Sequence, residues 1–186
     1  MPKNATKRID NENNATEVLD YSFFDMPQLQ PPPDNSIQIP SSRAVGWLLN
    51  NNLFEELDSE TLRSEASAAF TEGPEQVKFI DLSFNKLEAL PDFSVFPNLI
   101  SLALQGNQIK SVGVLINAVK NCTKLKRLSV AYNPVEEHRN YKVGCLAYVP
   151  SLNHFDGSPV FANDHHAAKD WLRRRQNIKA QREDVQ

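Results

Sequence analysis

The sequence is poor in cysteine and lacks any long apolar stretch. Cys122 and Cys145 are its only two cysteines, too few for the disulfide framework that stabilises small secreted domains. We expect both to be buried free thiols. No run of about 18 apolar residues is present, and the amino-terminal residues lack the apolar core of a signal peptide. These features predict a cytoplasmic chain with no membrane partner.

The sequence also lacks a basic surplus and the common catalytic motifs. A formal net charge of −3 gives no reason to expect direct binding to nucleic acid. There is no glycine-rich phosphate loop, nucleophile elbow or HExxH motif, and Asp81 and Asp156 fall on well-separated predicted strands. His165 and His166 are adjacent, which does not place two ligands on one helical face. We predict no catalytic residue, cofactor or metal site, and therefore no enzyme.

What the sequence does contain is one repeated apolar spacing. Its form is Leu-x-x-Leu-x-Leu-x-x-Asn-x-Leu, and two of the copies are separated by 22 residues. Units of about 20 to 29 residues with this spacing are leucine-rich repeats. The asparagines of the four copies are Asn52, Asn85, Asn107 and Asn133, and the long step from the first to the second indicates an insertion.

The repeats predict an α/β fold, a short solenoid whose curved parallel sheet is backed by helical and irregular return segments over residues 43–160. A single unit cannot bury its own apolar face, whereas stacked units share a continuous core. Leu62, Ala66 and Phe70 have helical spacing in the insertion, and so do apolar residues in the segment 114–122. Each asparagine is predicted to satisfy backbone groups where the chain leaves the strand.

Residues 134–157 resemble the carboxy-terminal cap of intracellular leucine-rich-repeat proteins, among them a spliceosomal protein and an axonemal dynein light chain. Pro134 suits the start of a cap helix. On this resemblance Tyr141 and Leu146 cover the last repeat, and Leu152 with Phe155 supply a final partial strand. The cap is needed because an open solenoid end exposes its core and its sheet edge.

Two segments flank the predicted solenoid. Residues 1–42 are predicted to be an extended or disordered arm, interrupted by three consecutive prolines. Its apolar cluster at 19–26 is either part of a disordered leader or an anchor that folds against another surface. The residues of this anchor are Leu19, Tyr21, Phe23, Phe24 and Met26.

Residues 161–186 are predicted to form a basic helix or tail, opened by Asn163 or Asp164 as N-cap. Trp171 lies on its apolar side and is expected to pack on the cap. The consecutive Arg173, Arg174 and Arg175 could contact an acidic partner, or they could form a solvated helix face.

Several stretches together resemble the family of leucine-rich repeat-containing protein 51, over about residues 19 to 179. The resemblance implies a cytoplasmic binding protein without known chemistry, and related short capped proteins often occur in cilia. The stretches that carry it are Leu19-Asp20-Tyr21-Ser22-Phe23, Leu49-Asn50-Asn51-Asn52, Ile80-Asp81-Leu82-Ser83-Phe84-Asn85, Gly106-Asn107, Asn133-Pro134-Val135-Glu136-Glu137 and Ala168-x-x-Trp171.

The strand positions that alternate with the core should form the binding surface. They face outward on the concave side of the sheet, where small central residues leave a trough wide enough for a helix or an extended segment of a protein partner. Two of the flanking residues, Phe84 and Tyr132, could instead cover the turns after the strands. The candidate contact residues are Phe79, Asp81, Phe84, Ala103, Arg127, Ser129, Tyr132 and His154.

These features predict a non-catalytic protein-protein interaction module, an adaptor or structural subunit of a larger assembly. The ciliary axoneme, with its microtubule-bound complexes, is the candidate assembly. The alternative is a protein partner in RNA processing, by analogy with the spliceosomal relative, and this analogy rests on fold alone.

Overall fold

The computed structural model describes residues 3–9, 15–29 and 41–183, with side chains described for 17–29, 41–178, 180 and 181. One sheet of eight strands runs through these segments, and the spatial order of the strands is their order in the sequence. The strands are β1 (Lys3–Ile9), β2 (Ala15–Asp20), β3 (Ala44–Leu48), β4 (Phe79–Asp81), β5 (Ser101–Ala103), β6 (Arg127–Ser129), β7 (His154–Phe155) and β8 (Ser158–Pro159).

The six strands from β2 to β7 are parallel, whereas β1 and β8 are antiparallel to their neighbours at the two ends. This register confirms the predicted leucine-rich-repeat solenoid. It places one core residue of each strand beside the equivalent residue of the next. The resulting column is Leu19, Trp47, Ile80, Leu102, Leu128 and Phe155.

Within the described residues, four α-helices pack on the core side of the sheet or over its end. In α1 the predicted residues Leu62 and Ala66 are fully buried, and Phe70, which follows the helix, is 1% exposed. The return segment between β4 and β5, which contains Pro91 and Pro97, has a short 3-10 turn at Phe93–Val95 and no α-helix. The helices are α1 (Ser59–Ala69), α2 (Val112–Val119), α3 (Tyr141–Tyr148) and α4 (Ala162–Glu183).

The repeat asparagines form a buried ladder of side-chain hydrogen bonds to the backbone. Asn107 Nδ2 donates to the carbonyl oxygens of Leu82 (3.0 Å) and Leu104 (2.9 Å), and its Oδ1 accepts from the Leu87 N–H (3.0 Å). Asn85 and Asn133 make the equivalent three bonds. Each asparagine therefore satisfies backbone groups where the chain leaves its strand, as the spacing predicted. It also joins its own turn to the preceding repeat.

The structure departs from the predicted division at residue 42, because residues 15–29 belong to the solenoid. Strand β2 pairs in parallel with β3, and beyond it the Tyr21 N–H donates to the Leu48 carbonyl at 2.8 Å. Asn52 Oδ1 accepts from the N–H groups of Phe24 (3.1 Å) and Met26 (3.2 Å). This segment is a first repeat. The proline-rich stretch of the predicted arm lies outside the described residues.

The cap closes the other end, although its helix begins later than predicted. Pro134 opens a 3-10 turn, Pro134–Glu137, and the α-helix starts at Tyr141. The Tyr141 hydroxyl donates to Asp156 Oδ2 at 2.8 Å, while Asp156 Oδ1 accepts from the N–H groups of Val130 and Ala131. Asp156 thus ties the cap to the last full repeat in place of another asparagine.

Helix α4 packs against α3, and it starts earlier than predicted. Both Asn163 and Asp164 lie within its first turn, where the Asp164 carboxylate accepts from the Phe161 N–H at 2.9 Å. Ala168 is 1% exposed. A methyl group added to Gly144 of α3 would lie 3.8 Å from the Trp171 ring, so the tryptophan packs on the cap.

Removing residues 164–186 should lower the free energy of unfolding by about 3 kcal/mol, because the apolar contact of Ala168 and Trp171 with the cap is lost. Thermal and urea denaturation would measure the change. A shorter truncation that removes residues 178–186 takes away only surface-exposed or undescribed side chains. It serves as the control and should change stability by less than about 0.5 kcal/mol. Equal stability of the two truncated chains would contradict the packing role of α4.

Candidate functional site

The concave face, defined here as the sheet face opposite the core, carries two parallel rows of side chains. The register of the strands aligns equivalent positions, so each row contains one residue per strand. The first row is Val18, Gly46, Phe79, Ser101, Arg127 and His154, and the second is Asp20, Leu48, Asp81, Ala103 and Ser129. Six of the eight predicted contact residues therefore lie in these two rows.

The centre of the concave face is shallow and its flanks are larger. Ser101, Ala103 and Ser129 are half-buried small residues, whereas Arg127 is exposed and Phe79 is half-buried. Phe79 and Arg127 lie on β4 and β6, two strands apart. Since neighbouring strands are about 4.8 Å apart, their backbones are separated by about 10 Å, which is the diameter of a helix with its side chains.

The acidic residues of the second row are held by local hydrogen bonds. Asp81 Oδ1 accepts from the Ser83 N–H (3.0 Å) and hydroxyl (2.5 Å). Asp20 makes the same pair of bonds with Ser22. A third carboxylate, that of Asp156 in the cap, accepts a hydrogen bond from the Tyr141 hydroxyl. Burial of Tyr141 and this hydrogen bond raise the pKa of Tyr141 above its usual range. These carboxylates organise turns and the cap.

The remaining two predicted contact residues, Phe84 and Tyr132, occupy turns with a left-handed backbone. Their φ angles are 55° and 61°, and Phe23 (62°) and Gly106 (67°) hold the equivalent turn position. A Cβ on Gly106 would lie 2.6 Å from Cδ1 of Phe84, so the Phe84 ring covers that glycine. Phe84 is nevertheless 51% exposed, so its ring contacts that turn and also presents surface on which a partner could bind. Tyr132 is 77% exposed.

The residues of the predicted anchor divide between the core and the surface. Tyr21 packs edge-on against Trp47, with ring centroids 6.2 Å apart. Leu19 and Met26 pack against the core. Phe24 is half-buried, and Phe23 is 69% exposed. Most of the anchor therefore contacts this protein's own repeats.

The three consecutive arginines of α4 are exposed but differ in their partners. Arg173 pairs with Asp170 at 3.1 Å, and Arg174 Nε donates to the Asp170 carbonyl at 3.2 Å. The Arg175 guanidinium lies 5.0 Å from the centroid of the Trp171 ring. Arg175 is thus directed towards the cap, unlike the other two.

Neither cysteine is placed for nucleophilic chemistry. Both are buried free thiols, as expected. Burial, with a smaller contribution from nearby carboxylates, raises the pKa of each thiol to about 12. The reactive thiolate is therefore disfavoured at neutral pH.

Two kinds of feature are absent from the described part of the chain. Among its residues, no group of three or more His, Cys, Asp or Glu is arranged to hold a metal ion. No helix there has both the length and the apolar composition that crossing a membrane requires.

The chain is similar to curated proteins named leucine-rich repeat-containing protein 51. The protein from Bos taurus is 36% identical over 134 residues, which is 72% of this chain and 66% of that protein. The Homo sapiens protein is 35% identical over the same shares of both chains. The matched region thus spans just under two thirds of these relatives' length.

Two more distant similarities extend this result. Leucine-rich repeat-containing protein ODA7 from Chlamydomonas reinhardtii is 33% identical over 75 residues, 40% of this chain and 17% of that protein. A chain in the crystal structure of the Drosophila melanogaster SNF/U2A' complex superposes with a TM-score of 0.68, covering 96% of this chain and 93% of the other at 21% identity. No protein-family model matches the chain.

Proposed function

Because this chain belongs to the family of leucine-rich repeat-containing protein 51, we propose that it is a non-catalytic protein-protein interaction module. It acts as an adaptor or structural subunit, and its concave face holds a helix or extended segment of a partner protein. The observation that carries this proposal is the placement of Phe79 on β4 and Arg127 on β6. They lie on either side of the small residues of β5, Ser101 and Ala103.

The fold itself gives no reason for these two side chains. The core is supplied by the alternate strand positions, which are 2% exposed or less at Ile80, Leu102 and Leu128. The outward rows also contain Val18 and Leu48, which are 4% and 8% exposed, but neither Phe79 nor Arg127 belongs to the buried core. Aromatic and arginine side chains are enriched among residues that dominate binding free energy at interfaces. The presence of Phe79 and Arg127 on the two flanks of the trough therefore supports a role of the concave face in binding a partner protein.

The dimensions of the trough support a single polypeptide segment as the occupant. About 10 Å separates the backbones of the strands that carry Phe79 and Arg127, which leaves room between the two side chains for one polypeptide segment at most. Ser101 and Ala103 on the strand between them have side chains of three heavy atoms or fewer, so a partner backbone can approach the sheet. Tyr132 extends the Arg127 side at the following turn.

The triple variant Phe79→Ala, Arg127→Ala, Tyr132→Ala should fold normally but bind its partner at least about tenfold more weakly. Outward surface positions change folding stability by less than about 0.5 kcal/mol each. Binding would be measured by quantitative pulldown of partners from ciliated tissue with the tagged full chain, and folding by thermal denaturation.

The matched control for this prediction is Phe161→Ala, Arg174→Ala, Ile178→Ala, which removes exposed side chains of similar type from outside the concave face. Phe161 is 66% exposed and Ile178 is 51% exposed. The control should recover the same partners as the unaltered chain. Undiminished recovery by the concave-face variant would refute the concave face as the binding surface.

We place this module in the cytoplasm and propose the ciliary axoneme as its assembly. The similarity to ODA7 of Chlamydomonas reinhardtii supports this placement, as does the resemblance of the cap to that of an axonemal dynein light chain. Tagged protein should fractionate with axonemes after detergent extraction of ciliated cells. Complete release into the detergent-soluble fraction would count against a structural axonemal role.

A second candidate is a protein partner in RNA processing. It rests on the overall superposition with the U2A' chain, which shows a shared fold. The same pulldown distinguishes the two functions, because recovery of spliceosomal proteins from nuclear extract in place of axonemal proteins would favour this alternative.

A further inference from the structure

A second concave surface lies at the carboxy-terminal end, away from the sheet. It is a groove of about 600 Å³ between α2, α3 and α4, here called the cap groove. Its apolar residues include Val112 and Ile116 from α2 and Trp171 from α4. All three are half-buried, so each retains surface that a ligand can cover.

Gly144 of α3 explains how the three helices form this groove. A methyl group at Gly144 would lie 3.2 Å from Val112 Cγ1, 3.6 Å from Ile116 Cδ1 and 3.8 Å from the Trp171 ring. The three apolar residues therefore converge on one helical position that has no side chain. Val112, Ile116 and Trp171 supply apolar surface that lines the groove.

The rim of the cap groove is basic. Lys120, Arg139 and Arg175 line it, together with His138, and no carboxylate is among the lining residues. Lys120 Nζ donates to the neutral Asn117 amide, and Arg175 lies over Trp171. In the described part of the chain, no carboxylate lies within 4.0 Å of these three cations, whereas several other surface cations are paired.

We propose that the cap groove binds an acidic segment of a partner protein, with one aliphatic or aromatic side chain of that segment inserted against Val112, Ile116 and Trp171. The unpaired rim cations supply the charge complementarity that selects acidic residues. The volume lies within the range of about 300 to 1,000 Å³ found for ligand pockets. This binding surface is separate from the concave face, since none of its residues belongs to the sheet.

The lining favours a peptide over RNA. A nucleobase would stack on an open aromatic face, but Arg175 already occupies one face of the Trp171 ring. Tyr148, which is 40% exposed, also lines the groove. The aliphatic Val112 and Ile116 match an aliphatic or aromatic peptide side chain better than a base edge.

The test is fluorescence anisotropy with the full chain and a labelled synthetic peptide that places one leucine between runs of glutamate. The double variant Lys120→Glu, Arg139→Glu should weaken binding at least about tenfold, because attraction at two rim positions becomes repulsion. The matched control Lys169→Glu, Arg174→Glu makes the same charge change on exposed positions of α4 outside the groove. It should weaken binding by less than about twofold.

Three additional probes decide the nature of the ligand. The same peptide with glutamine for glutamate, and with alanine for leucine, should each bind more weakly. Raising the salt concentration should weaken the binding of the unaltered chain, a measurement that needs no variant. An equal loss in the groove and control variants would overturn the proposal, and so would the absence of saturable binding at about 1 mM peptide.

Evidence that the cap groove binds either of two other ligands would also overturn the proposal. A uridine-rich RNA that binds more tightly than the peptide would replace the acidic segment with RNA. Concentration-dependent self-association that the Lys120→Glu, Arg139→Glu variant abolishes would assign the groove to a second copy of the chain. The concave-face triple variant should bind the peptide as well as the unaltered chain, so failure of this proposal is distinguishable from failure of the proposed function.

Discussion

Replacing Asn107 by alanine should lower the free energy of unfolding by about 3 kcal/mol. The side chain is 6% exposed and satisfies two carbonyl groups and one N–H of buried turns. Alanine leaves the Leu87 N–H without a partner, and an unsatisfied buried group costs about 1 to 3 kcal/mol. It also removes one of the two amide donors at each carbonyl, since the Leu82 carbonyl still accepts from Asn85 and the Leu104 carbonyl from Asn133. Urea denaturation monitored by circular dichroism would measure the loss.

Asn98→Ala is the matched control for this prediction. Asn98 Nδ2 also donates to a backbone carbonyl, that of Glu75 at 2.7 Å, but at an exposed site where water can replace it. Its loss should cost about 1 kcal/mol or less. If the two substitutions were equally costly, the burial of the asparagine ladder would not be the source of its contribution.

Deleting residues 1–29 should be more damaging, lowering the free energy of unfolding by about 4 kcal/mol or more. The deletion removes Leu19, Tyr21 and Met26 from the core and uncovers Trp47, which is 1% exposed in the intact chain. Burying a large apolar side chain stabilises a protein by about 1.5 to 3 kcal/mol, and several are affected here. The β3 edge also loses its partner strand.

Deletion of residues 1–14 is the control, because it leaves β2 and the following turn in place on β3. Its effect should be much smaller, about 1 kcal/mol. Comparing the two deletions by thermal denaturation isolates the contribution of the first repeat. Equal stability of the chains lacking 1–14 and 1–29 would show that residues 15–29 do not stabilise the solenoid.

The repeat architecture was predictable because the same residue types recur at a fixed spacing, and the spacing specifies strand, turn and core together. The core column and the asparagine ladder follow from it, and both agree with the structure. The start of the cap helix was less predictable. Proline at 134 fits the first position of an α-helix and of a 3-10 turn equally well, and the structure has the turn.

The first repeat was missed because Phe24 occupies the position of the diagnostic asparagine. A signal was nevertheless present, since Leu19-Asp20-Tyr21-Ser22-Phe23 and Ile80-Asp81-Leu82-Ser83-Phe84 are the same five-residue pattern. The structure shows why, because both aspartates bond to the serine two residues later. Without a preceding repeat to join, this turn has no need of an asparagine side chain.

The rows of the concave face could be derived from strand alternation, whereas the cap groove could not. The groove depends on Gly144, Val112 and Trp171, which belong to three helices whose relative placement the repeat spacing does not specify. The position of Phe84 over Gly106 is likewise a contact between neighbouring repeats, and only coordinates reveal it.

The strictly sequential strand order has a consequence for how the chain is made. Each strand from β3 to β7 pairs with the one translated immediately before it, so every repeat can dock as it leaves the ribosome. A growing chain always presents one open edge, and that edge advances with synthesis until β8 and α4 emerge. Nascent chains stalled before the cap should therefore be the ones that chaperones retain.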